Sequence, residues 1–83
     1  MDSRYTSAAA QKVRSFVESR VGTSLDLEED IFASGFVNSL LAIQLISFIE
    51  ESFSVTIEDD ELDPDNFRSI KAIVDFLAAK GAA

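Results

Sequence analysis

The sequence predicts a small all-α protein, a four-helix bundle of three longer helices and one short one, with a long loop after the first helix. Three observations carry this. Apolar residues recur at three- and four-residue spacing in three separate stretches. Helix-ending signals follow two of them: Gly22-Thr23-Ser24 after the first, Gly81 after the last. The chain has 83 residues, 47% of them hydrophobic, which suits one domain (residues 1–83, core about 7–80) and is too apolar for a disordered chain.

The first helix is predicted from about Ser7 to Arg20, with Ala10, Val13, Phe16, Val17 and Val21 as its stripe. The connection from Thr23 to Val37 contains Leu25, Leu27, Ile31, Phe32 and Phe36. A loop that apolar is expected to lie over the core and close one side of it. The second helix is predicted from about Ser39 to Phe53. "SVTI" looks β-like, but Thr56 to Asp59 resembles a capping box, so a short third helix or helical turn is expected within Glu58 to Asn66, limited by Pro64. The fourth runs from about Ser69 to Lys80 on Ile70, Ile73, Val74 and Leu77.

Cys and His are both absent, which removes disulfides, Cys/His zinc sites, thiol nucleophiles and histidine acid–base catalysis. No signal-type apolar run opens the chain and no stretch reaches membrane-span length, so a cytoplasmic protein off the membrane is expected. The charge is −8, from 7 basic and 15 acidic residues. Between Gly22 and Phe67 there are 12 carboxylates and no Lys or Arg. Such a chain repels phosphate backbones, which argues against nucleic acid, and attracts basic protein surfaces. Solubility alone is the plainer explanation of the charge.

The second helix has more apolar surface than one core stripe requires. On a wheel of 100° per residue, Ala42, Leu45, Ile46, Ile49 and Phe53 share one face. Leu41 and Phe48 flank it where the long loop is expected to cover them. Leu40, Gln44, Ser47 and Glu51 lie opposite, with Ile43 on the other flank. Leu40 and Ile43 are thus either a docking face for another protein or covered by neighbouring segments. Ser39, at the helix start, has two readings as well. It caps the helix, or its hydroxyl carries a phosphodiester at a terminus whose free N–H groups favour anions. Gly35 would permit a tight turn just before it.

"GFVNSL" (35–40), followed by an apolar helix, "EESFSVTI", "DDELDPDNF" and "SIKAIVDFL", resembles the acyl and peptidyl carrier proteins over about Val13 to Leu77. The usual Gly-x-x-Asp-Ser-Leu motif stands here as Gly35-Phe36-Val37-Asn38-Ser39-Leu40. The resemblance implies a carrier rather than an enzyme. A phosphopantetheinyl transferase would attach 4′-phosphopantetheine from coenzyme A to Ser39, with Gly35, Asn38 and Leu40 around the site. The arm's thiol would hold an acyl group as a thioester, which accounts for a chain without Cys. The implied docking face is Leu40, Ile43, Gln44, Ser47, Glu50, Glu51, Glu58, Asp59 and Asp60. It would meet the transferase, acyl-loading and acyl-modifying enzymes and downstream synthase modules, with the monomer as the default state.

Two departures stand out. Asn38 replaces the motif's Asp; it caps a helix about as well, but removes a charge beside the site. Leu41 and Gln44 occupy a stretch usually acidic, and the helix's first acid is Glu50. "GFVNSL" with the later "DNF" looks most like stand-alone carriers of polyketide and mixed peptide pathways, and among them carriers of unusual glyceryl- or malonyl-type extender units. A peptidyl or aminoacyl carrier, D-alanyl type included, is the alternative within the family. Outside it stands an unmodified acidic adaptor, for which Ser39 would be dispensable. The carboxylates between Glu58 and Asp65 faintly resemble a calcium loop, but Pro64 interrupts them and the required Gly is missing; a solvated acidic turn is expected, with no metal.

Overall fold

The computed structural model describes residues 3–33, 35 and 39–82, with Ser3 and Ser39 described for their backbone only. Three α-helices form: α1 (Ala8–Val21), α2 (Ser39–Phe53) and α3 (Ile70–Ala79). Short 3₁₀ turns stand at Ser3–Thr6, Asp59–Glu61 and Pro64–Asn66, and no strand occurs among the described residues. The all-helical prediction holds, with the short third helix realised as two 3₁₀ turns.

Two of the longer helices, α1 and α3, begin and end on chemical signals. Ser7 and Ser69 cap α1 and α3, their hydroxyls accepting from the N–H of Ala10 (3.2 Å) and Ala72 (3.0 Å). At the end of α1 the Gly22 N–H bonds the Glu18 carbonyl. After α3, Gly81 takes φ +78°. Its N–H reaches the Ala78 carbonyl and the Ala82 N–H reaches that of Leu77, a pair of bonds that closes the helix and folds Ala82 back onto the core.

The core is centred on α3. Ile70, Ile73, Val74 and Leu77, the four stripe residues, have no exposed surface. Val13 and Val17 from α1 and Leu45 and Ile49 from α2 pack with them. The long loop closes one side as expected: Ile31 is completely buried and Leu25 nearly so. Backbone pairing holds it there. The Ile31 N–H donates to the Arg68 carbonyl (2.7 Å) and the Lys71 N–H to that of Leu27 (2.9 Å). Arg14 and Glu18 hold the loop's start, Arg14 donating to the Leu25 carbonyl and Glu18 accepting from the Leu25 N–H, both at 2.6 Å. Phe36 and Val37 lie outside the described residues.

Three expectations need correcting. Phe48 is covered by α1 rather than by the loop: its ring stacks on Phe16 at 4.3 Å between centroids. The capping box expected at Thr56 does not open a helix there. Ile57 is buried and gives its N–H to the Glu50 carboxylate (2.9 Å), so the chain stays non-helical to Glu58. The turn then starts under Glu58, whose N–H bonds the Glu61 carboxylate (2.9 Å). Finally, Pro64 opens the second turn instead of ending the first. It lacks the N–H needed to continue a helix through position 64, and Asp63 caps the new turn by accepting from the Asp65 N–H.

The first turn was not predicted. Its Tyr5 hydroxyl donates to Asp75 of α3 at 2.6 Å, and Arg4 and Lys71 pair with the same carboxylate at 3.0 and 3.1 Å. Partial burial pushes the Asp75 carboxyl up, but the hydrogen bonds from Tyr5, Lys71 and Arg4 outweigh it and leave it below the usual range. The bonds to Asp75 and Tyr5 hold the Lys71 ammonium above its ordinary value. Across the fold, hydrogen bonding to Lys80, then to the Glu58 N–H, lowers Glu61.

Two outcomes follow. Ile31→Ala, in a loop, should cost as much as a core helix residue, about 2–5 kcal/mol by denaturant unfolding. Asp75→Asn should cost about 1–2 kcal/mol at neutral pH, since the carboxylate is partly exposed. Because Asp75 is depressed in the folded state, its contribution is complete above about pH 4 and is lost as pH falls further. The stability curves of wild type and Asp75→Asn should therefore converge as pH falls through the depressed folded-state value.

Candidate functional site

The site is organised by α2. Leu45 and Ile49 are buried, and Ala42, Ile46 and Phe53 are half-buried on the same side. This orients the helix as the wheel predicted. Leu40 and Ile43 are each 63% exposed. No neighbour among the described residues covers them, so they are the surplus the sequence suggested. Burying an apolar side chain of this size yields about 1.5–3 kcal/mol, which here remains available to a partner.

A hydrogen-bonded turn lies ahead of α2. Asp30 accepts from the N–H groups of Phe32 (3.0 Å) and Ala33 (2.9 Å). The Gly35 N–H then bonds the Phe32 carbonyl (3.1 Å), with Gly35 at φ +76°. A side chain there would force the left-handed strain that glycine avoids. Four residues on, Ser39 opens the helix; Asn38 lies outside the described residues. The first turn of α2 has no acid. The positive end of this 15-residue helix therefore meets no acid from its own first turn.

The other predicted docking residues separate into groups. Ser47, Glu51, Glu58, Asp59 and Asp60 are exposed, while Gln44 and Glu50 are half-buried. Glu50 has structural work, holding the Ile57 N–H. Asp59 and Asp60 sit in the turn that Lys80 ties to the end of α3 through Glu61, at 2.7 and 2.9 Å. Two residues missed from sequence join the α2 surface: Phe16 and Arg20 of α1 border a depression shared with Ile43, Gln44, Ser47 and Glu51. Their four-residue spacing is visible in the sequence, but the helical stripe assigns Phe16 to the core. No cluster of acids among the described residues is arranged to hold a metal ion. None of the described helices is long and apolar enough to cross a membrane.

A family model, the phosphopantetheine attachment site, matches residues 11–77. The chain belongs to this family. It is a phosphopantetheine carrier protein: non-catalytic, bearing covalent 4′-phosphopantetheine, modified by a phosphopantetheinyl transferase and working with partner enzymes. A comparison with curated proteins gives no significant match. The helix start suits the group, since its first turn brings no acid of its own beside a phosphodiester.

Polar replacement of the surplus residues separates surface from core. Leu40→Ser and Ile43→Ser should each change unfolding free energy by less than about 0.5 kcal/mol. Ile49→Ala, on the same helix, should cost about 2–5 kcal/mol in the same denaturant titration.

Proposed function

We propose that residues 1–83 act as a single carrier domain in which Ser39 carries the 4′-phosphopantetheine. The observation that carries the assignment is positional. Ser39 is the residue at which the acid-free start of α2 meets the turn at Gly35, within the span of the family match. The bound arm supplies a thiol that holds an acyl group as a thioester. The chain's own part is to hold the serine at a helix terminus, whose N–H groups stabilise the phosphodiester charge. Asn38 supplies a cap of about the same quality as the motif's Asp.

Partner enzymes dock on the surface that begins beside Ser39. Leu40 and Ile43 provide its apolar contacts, and Gln44, Ser47 and Glu51 its polar rim. Glu50, Glu58, Asp59 and Asp60 add the acidic margin that attracts basic partner surfaces. With no acid ahead of Glu50 in α2, recognition relies more on apolar contact than a carboxylate-rich helix start would.

The pathway reading follows the resemblance of "GFVNSL" and "DNF" to carriers of polyketide and hybrid peptide assembly, with a glyceryl- or malonyl-type extender unit as cargo. The protein works in the cytoplasm as a monomer. The partners are the transferase, a loading enzyme and a downstream synthase.

Intact mass before and after incubation with coenzyme A and a broad-specificity phosphopantetheinyl transferase tests the assignment. Wild type should gain one phosphopantetheine and Ser39→Ala none. A gain in Ser39→Ala would move the site elsewhere. No gain in wild type that Asn38→Asp restores would assign the block to the missing charge. No gain in either would favour an unmodified adaptor.

A further inference from the structure

Five of the seven basic side chains are held by carboxylates. Arg4 and Lys71 pair with Asp75, Arg14 with Glu18, Arg68 with Asp30 and Asp65, and Lys80 with Glu61. Among the described residues Lys12 and Arg20 form no ion pair, in a chain with 15 acids. Both are exposed on α1. With Phe16 they follow at four-residue spacing and so form one row on the helix.

That row lies along the seam between α1 and α2. The Arg20 guanidinium sits 4.9 Å from the Phe16 ring centroid, and the Lys12 ammonium 5.9 Å from that of Phe53. Between them the stacked pair Phe16–Phe48, at an interplanar angle of 14°, borders two open depressions. The one at the Lys12 end is completed by Gln11, Ser15 and Ser52, and no carboxylate among the described residues borders it. Glu51 borders the one at the Arg20 end without pairing with Arg20.

We propose that this seam docks an acidic, amphipathic helical segment of a partner protein. Its chemistry follows from the row. Lys12 and Arg20 are eight residues apart on α1, a rise of about 12 Å, so the segment presents two carboxylates about two turns apart. An apolar side chain between them rests on Phe16 and Phe48. Cations already seated near aromatic rings are held in place for an incoming carboxylate and give up no internal partner to meet it. The remaining carboxylates repel such a segment at long range. At physiological salt, screening over about 8 Å leaves the nearest charges in control. The surface adjoins the Leu40–Ile43 face at the depression that Arg20 shares with Ile43, extends away from it to Lys12, and does not depend on where the arm is attached.

The test is a titration of isotopically labelled protein, wild type and Ser39→Ala, at physiological salt. The probe is a synthetic helical peptide with two Glu residues two turns apart and a Leu midway. Its control carries Gln in place of both Glu. The Glu peptide should shift amides along the α1–α2 seam saturably, alike in both proteins, and bind several-fold tighter than the Gln peptide. Lys12→Glu/Arg20→Glu should weaken it about tenfold, from the loss of two rim charges, with an unchanged thermal melt. The milder Lys12→Gln/Arg20→Gln should fall between. Equal binding of the two peptides, or shifts confined to the Leu40–Ile43 face, would overturn the proposal. So would peptide-free self-association abolished by the double reversal, which would assign the seam to a second copy of the chain.

Discussion

Everything in this fold depends on wrapping one short, very apolar helix. The four stripe residues of α3 have no exposed surface, and Phe76 beside them is nearly buried. Ten residues cannot cover themselves, and a bundle of 83 residues has few helices to lend. The cover is therefore assembled from several sources: α1, α2, the long loop and both ends of the chain. Leu25 and Ile31 act as core residues although they lie in a loop, and the loop's backbone groups pair with Arg68 and Lys71 at the start of α3. A buried loop is tolerable only when its polar groups are satisfied, and these are.

Charge follows the same economy. With 15 acids and 7 bases, most carboxylates have no base to meet, and they remain on the surface between Gly22 and Phe67. The scarce bases are used where elements join. Lys80 ties the end of α3 to the 59–61 turn, Arg68 bridges the loop and the 64–66 turn, and Asp75 gathers the N-terminal turn onto α3 through Arg4 and Tyr5. Surface ion pairs contribute little singly; here their value is in register, fixing irregular segments that have no long hydrogen-bonded ladder. The surplus acid is then available for recognition, while α2 stays apolar at its exposed start.

The helices were legible because their signals are local. A stripe at helical spacing, a serine cap and a glycine terminator each act within a few residues, and α1, α2 and α3 fall within a residue or two of the predicted limits. The surplus of Leu40 and Ile43 was legible for the same reason. Long-range bonds were not. Nothing near Thr56 signals that Glu50 will claim the Ile57 N–H and delay the next turn. Nothing near Tyr5 signals a carboxylate 70 residues away. Phe48 was assigned to the loop because a wheel gives its direction but not which neighbour stands there. The candidate site was partly legible: "GFVNSL" and the helix start were visible, whereas Phe16 and Arg20 border α2 only through tertiary packing.

The turn that begins at Asp30 bears on how the start of α2 answers to the core. Ile31 is locked in the core and bonded to Arg68, and the start of α2 is positioned by Leu45 and Ile49 farther along the helix. Both supports belong to the same core. Loosening either Ile31 or Ile49 would therefore be felt at the helix start, which makes the interior of this small bundle part of the equipment for presenting a cofactor.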